Sequence, residues 1–279
     1  MTNLLTAGLF RLRKDGLFRL MALAVVLATG LITAQSIGAY QGDLARGVPV
    51  NDMEEYFFNQ APMMGMLAAV FVSLYWGAEY SDGAIRNKLC VGCRRSHVYL
   101  AHFTVCLAAN LAFLMLWFLF ASPMYFYIGP MAIGWTGFLT YAATCICFTA
   151  AFTALFTLIC AAVTNKAYSV VAALGVWILL VMASGGLYGR LCEPEMNVAY
   201  QMLVGEEFVT VEAGPNPLYI GGTLRTVLEG VVELLPTGQA FLVNDINIWH
   251  PVRGILLTLA FTAAMLGIGL GMFGKKDIR

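Results

Sequence analysis

The chain has 279 residues, of which 60% are hydrophobic and 11% charged, and its 16 Lys and Arg balance 16 Asp and Glu. A soluble globule of this size cannot bury so much apolar side chain; a nucleic-acid binder needs a basic stripe, and a disordered chain needs low hydrophobicity. The charges are also clustered, with no Asp, Glu, Lys or Arg between residues 96 and 165, so the sequence reads as an integral membrane protein.

At the start, residues 1–16 set Leu4, Leu5, Leu9, Phe10 and Leu12 against Arg11, Arg13 and Lys14. This short, basic, amphipathic pattern predicts a helix lying flat on the inner leaflet, in contact with membrane lipid. A helix needs about 20 apolar residues to cross the hydrocarbon core. Six stretches qualify: 17–38, 61–78, 98–120, 135–163, 167–187 and 254–273. Their apolar runs are continuous, whereas barrel strands alternate, so all six are predicted as helices. The first could end in a small-x-small cleavage site at Ala34-Gln35-Ser36, but its apolar stretch exceeds a signal-peptide core, and we expect it to be retained.

The loop between the second and third spans, residues 79–97, is strongly charged and is a candidate docking element. Residues 164–166 make a tight turn between the fourth and fifth spans, because a lysine at mid-helix, here Lys166, costs roughly 2.5 to 3.5 kcal/mol on insertion. Residues 190–251 form a long loop before the sixth span. Within it Leu224, Val227, Leu228, Val231 and Leu235 mark the apolar face of a helix, and Arg225, Glu229 and Glu233 its polar face. Such a helix would half-bury at the outer membrane surface, with Asn216-Pro217 and Pro236-Thr237-Gly238 punctuating its ends.

Lysine and arginine counts orient the chain. With six spans and both termini in the cytosol, the inner side holds Arg11, Arg13, Lys14, Arg19, Arg86, Lys88, Arg94, Arg95, Lys166, Lys275, Lys276 and Arg279, twelve of the sixteen. The outer side receives Arg46, Arg190, Arg225 and Arg253 and twelve acids, among them Asp52, Glu54, Glu55, Glu206 and Glu207.

Motifs for catalysis are weak. The run from Gly269 to Lys276 imitates a phosphate-binding loop but has Lys276 where Ser or Thr should ligate magnesium, and it closes a membrane helix instead of joining a strand to a helix. Cys90 and Cys93 with His97 offer three soft ligands where a structural zinc site needs four. We read incidental thiols there, with a metal or redox role as the alternative. Cys106, Cys145, Cys147, Cys160 and Cys192 imply no disulfide framework. The span centres contain no ionisable group of the kind that marks membrane enzymes and proton pumps. What remains inside is small and weakly polar: Asn110, Thr140, Thr144, Thr149, Thr153, Thr157 and Ser184. These residues suit helix packing, and Asn110, Thr144, Thr153 and Ser184 are candidates for lining an amphiphilic pathway.

One stretch resembles a known family. The second span ends in Glu79-Tyr80, followed by Gly83-Ala84-Ile85-Arg86-Asn87-Lys88 and then by Gly92 and Arg95. This pattern resembles the membrane subunits of type 2 ATP-binding-cassette (ABC) exporters, and the loop lengths along the whole chain, with Leu234-Leu235-Pro236-Thr237-Gly238 in the outer loop, are similar too. The resemblance implies an all-α permease of six transmembrane helices with no nucleotide-binding domain of its own, in the cytoplasmic membrane of a prokaryote. It would pair with a second permease subunit, identical or homologous, and with two copies of a separate ABC ATPase that carries ATP and magnesium. Glu79, Tyr80, Gly83, Arg86, Asn87, Lys88, Arg94 and Arg95 would then form the ATPase-coupling loop, braced by the N-terminal helix. The cargo would be a peptide, lipid-like or drug-like amphiphile moving outward. The alternative is a channel or scaffold that needs no ATPase.

Overall fold

The computed structural model describes residues 2–163, 165–197, 200–204, 207–211 and 213–275. Of the charges used above for orientation, Glu206, Glu212, Lys276 and Arg279 lie outside the described residues. Helix α1 (Thr2–Lys14) is separated from α2 (Gly16–Arg46) by Asp15 alone, whose carboxylate accepts the Phe18 amide at 3.1 Å. A side-chain acceptor at that position satisfies one of the amides a helix leaves open at its start, so a single residue suffices to turn the chain.

After α3 (Met53–Phe58) come α4 (Met63–Ser81), α5 (Ala84–Cys90), α6 (Arg95–Ala121), the short α7 (Met124–Tyr127), α8 (Gly134–Ala162) and α9 (Lys166–Leu191). The joint before α9 is the tight one expected from sequence: Asn165 caps the helix through the amides of Ala167 and Tyr168, at 2.9 and 3.4 Å. Helices α2, α6, α8, α9, α4 with the preceding α3, and the final α12 (Pro251–Lys275) are each long and apolar enough to cross a membrane. The protein is a multi-pass, helical membrane protein.

Helices α4 and α8 are the most buried of the six, and α8 packs against α4, α6 and α12. Helix α2 shows the opposite: it buries only a stripe of Met21, Val25, Thr29, Thr33 and Ser36, and leaves Leu20, Leu23, Leu27 and Leu31 exposed. At the end of the bundle near α3, the rings of Phe57, Phe58, Trp117, Phe118, Phe138 and Tyr141 interlock, and Trp117 donates its indole N–H to the Phe57 carbonyl at 3.2 Å. There the carboxylate of Glu54, itself buried, accepts the amides of Ala132 and Ile133, both at 3.1 Å, just before α8 begins. A negative charge is well placed there, because the start of a helix carries partial positive charge.

The loop after α9 holds two small antiparallel ladders that the sequence analysis did not anticipate. They are β1 (Met196–Asn197) paired with β4 (Gly214–Pro215), and β2 (Tyr200–Val204) paired with β3 (Glu207–Val211). Beyond them the helix expected over 224–235 is present as α10 (Gly222–Leu234), with Leu224 and Val227 exposed along its apolar face. Two expectations need correction. Pro236 opens a further helix, α11 (Pro236–Asn244), at 97° to α10, because proline fits the first helical position, where no amide partner is required. Glu233 does not lie on a solvated face: its side chain is 1% exposed and pairs with Arg253 at 2.5 Å.

Helix α11 is buried between α8 and α9, held by a bond of 2.6 Å between the hydroxyls of Ser184 and Thr237 and by Gln239, which donates to the Glu233 carbonyl at 2.7 Å. At the bend, a Cβ on Gly238 would collide with the Val232 carbonyl. Gly238→Ala is therefore expected to cost about 1–3 kcal/mol by overpacking. Thermal unfolding in detergent should show a lower midpoint for this variant and no loss for Gly230→Ala, which meets nothing within 4 Å.

Candidate functional site

Helical spacing places Val72, Tyr75, Trp76 and Glu79 on one face of α4, and all four are buried. A carboxylate that follows three large apolar side chains into the interior must find partners or lose its charge. Glu79 finds three. Its Oε1 accepts from Arg11 Nη1 at 2.8 Å, and its Oε2 accepts from Lys88 Nζ at 2.6 Å and lies 2.5 Å from His102 Nε2.

Each partner comes from a different element, and each arrives by the same periodicity. Arg11 shares the inward face of α1 with Leu4, Gly8 and Leu12; Gly8 is close enough to Val105 of α6 that a Cβ there would strike it. Instead of only resting on a lipid surface, α1 packs on α6 and leaves Leu9 and Phe10 exposed. His102 lies on the buried face of α6 with Val98, Tyr99, Val105 and Cys106, against the Trp76 ring at 4.5 Å between centroids. Lys88 reaches back from α5, which Ile85 anchors in the core. Arg11 also lies over the Tyr75 ring at 5.5 Å and approaches Asp82 at 3.8 Å.

The coupling-loop candidates divide into an inner and an outer set. Glu79 and Lys88 belong to the ion cluster, and Tyr80 sits beside Trp76 with 6.4 Å between ring centroids. Gly83 starts α5 with φ of +67°, and Arg95 donates to the Gly274 carbonyl at 3.4 Å, tying the start of α6 to the end of α12. Arg86, Asn87 and Arg94 are exposed, together with Val91 at 85%. The loop therefore presents a basic, partly apolar face outward while a charged network fixes its inner side.

The pathway candidates lie elsewhere, in the bundle interior. Asn110 of α6 donates to Thr153 of α8 at 3.0 Å, Thr144 and Thr153 return their hydroxyls to the carbonyls of Thr140 and Thr149, and Ser184 holds Thr237. Their visible bonds are those of packed helices.

Sequence reasoning left Arg11 and His102 out of the site. Both carried a signal, because each stands at helical spacing within an otherwise apolar buried stripe. Among the described residues no group of three or more His, Cys, Asp or Glu is placed to hold a metal ion. No family model and no curated protein matches the chain.

Glu79→Gln would leave Lys88 without its counter-charge and Arg11 with Asp82 alone, 3.8 Å away. Because these two are about one-third exposed, with side-chain exposures of 34% and 30%, solvent softens the loss to about 2–3 kcal/mol. A double-mutant cycle with Arg11→Ala, read by thermal unfolding, should be non-additive by roughly 0.5 kcal/mol or more. Simple additivity would mean that the pair does not interact.

Proposed function

We propose that this chain is the permease subunit of an ATP-driven type 2 ABC exporter, embedded in the cytoplasmic membrane of a prokaryote with both termini inside. Two permease subunits, identical or homologous, would stand on two ATPase chains that bind ATP and magnesium. The observation that carries this reading is the arrangement of α5. Its outer face offers Arg86, Asn87 and, just beyond it, Arg94, while its inner face is joined by Lys88 to Glu79 and through Glu79 to α1, α4 and α6.

A soluble partner that pushes on α5 therefore acts on the ends of two membrane-spanning helices at once. Lys88 cannot move without disturbing Glu79, and Glu79 is part of α4, while His102 is part of α6. Closure of the ATPases would tilt these helices and shift the permease pair between inward-facing and outward-facing states. Reversing such an equilibrium from 1:99 to 99:1 takes about 5.5 kcal/mol of differential binding, which ATP-dependent association of two ATPases would supply.

On the opposite side, the α10–α11 hairpin is held down by Glu233–Arg253 and Ser184–Thr237 and would close the exit. The cargo that suits an interior without ionisable groups at its centre is a peptide, lipid-like or drug-like amphiphile. The exposed leucines of α2 would face lipid or the second permease.

Extraction in mild detergent, mass spectrometry of copurifying chains and an ATPase assay test this reading. A stoichiometric partner with a phosphate-binding loop is the expected result, with Arg86→Glu reducing its retention and its ATPase activity while the protein remains inserted. A chain that purifies alone, with no ATPase activity in the preparation, would overturn it in favour of a channel or scaffold.

A further inference from the structure

Helix α5 ends in a compact cap. The amide of Val91 donates to the Asn87 carbonyl at 3.1 Å, that of Gly92 to Leu89 at 3.0 Å and that of Cys93 to Lys88 at 3.2 Å, with Gly92 at φ of +89°. The last two bonds, around a left-handed glycine, are the Schellman arrangement, in which the chain reverses just past the final helical residue. Cys90 is that final residue and Cys93 is the first beyond the glycine, so the two thiols flank one tight turn. A disulfide bridges Cα atoms roughly 4.4–6.8 Å apart, a range open to residues three apart across a tight turn.

The two cysteines differ in a useful way. Cys90 is exposed, and Cys93 is partly buried against the main core. Cys106, Cys145 and Cys160 are buried within membrane helices and have no comparable access. Lys88 and the exposed Arg94 flank the turn, a setting that favours approach by an anionic disulfide such as oxidised glutathione.

We propose that Cys90 and Cys93 are a reversible dithiol–disulfide modification site that regulates docking on the face formed by α5 and Arg94. The Cys90 thiolate attacks one sulfur of the small disulfide, forming a mixed disulfide and releasing one thiol. The Cys93 thiolate then attacks the Cys90 sulfur, closing the Cys90–Cys93 bond and releasing the second thiol. The protein pair loses two electrons and two protons, which the small disulfide takes up as it becomes two thiols. A dithiol reductant reverses both steps.

Bridging draws Cys93 away from its packing against the core and remakes the exposed edge at Cys90 and Val91. It also loads the cap whose acceptor is the carbonyl of Lys88, the residue that holds Glu79. Oxidation therefore weakens docking of the soluble partner. This regulatory consequence rests on the exporter reading above, whereas the thiol chemistry does not.

The test uses the full-length protein extracted with whatever copurifies, exposed to buffers of increasing oxidised-to-reduced glutathione ratio, with isotopically labelled alkylation and peptide mass spectrometry. An intramolecular Cys90–Cys93 disulfide that dithiothreitol reverses is expected, together with a several-fold loss of ATPase retention. The loss should be absent in the Cys90→Ser, Cys93→Ser double variant and preserved in Cys192→Ser. Thiols that remain fully alkylatable, or a mixed glutathione adduct that never closes, would overturn the modification site. A disulfide that leaves retention unchanged would overturn its regulatory role. If no ATPase copurifies even from reduced samples, the exporter reading fails, and the disulfide measurement still decides whether the site exists.

Discussion

A carboxylate placed inside an apolar bundle must find partners where it stands, and Glu79 finds them on three other helical elements. Arg11 and Lys88 of α1 and α5 pair with it and His102 of α6 lies within hydrogen-bond reach, so moving α1 or α5 far would strip an ion pair from a carboxylate that water barely reaches. One acidic side chain at the end of α4 therefore fixes the amphipathic helix, the charged loop and the next span relative to one another.

The same device recurs at the other end of the bundle. Glu54 holds the two amides that precede α8, and Glu233 holds Arg253 at the start of α12, where Gln239 and Thr258 also bind the Glu233 carbonyl. Three buried carboxylates thus stand at three joints, while the helix centres carry apolar and hydroxyl side chains and the amide of Asn110. Along α8, Thr144, Thr153 and Thr157 return their hydroxyls to carbonyls of their own helix, and Thr153 also accepts from Asn110 of α6.

Much of this was legible in the sequence. The six spans, the N-terminal helix, the tight turn at Asn165 and Lys166 and the helix around Leu224 follow from hydropathy, periodicity and the cost of a buried lysine, and all lie close to their predicted positions. Helix α11 was hidden because Pro236 serves equally well to end one helix and to begin another, and only packing against α8 and α9 decides between them. The short ladders around β2 and β3 were hidden because pairing depends on register between strands, which local composition does not specify. Glu79 and Lys88 were singled out through resemblance, but Arg11, His102 and Arg253 were not, since local sequence does not show which distant element a side chain will meet. Their one visible trait was a charged or titratable group on, or at the start of, a face that is otherwise apolar.

Amide hydrogen exchange on the intact protein in detergent, comparing wild type with Glu79→Gln, tests most directly whether one carboxylate unites these elements. Faster exchange appearing together in α1, in α5 and in the first turns of α6, with the α10–α11 hairpin unchanged, is the predicted result. Exchange that rises only around residue 79, or not at all, would contradict it.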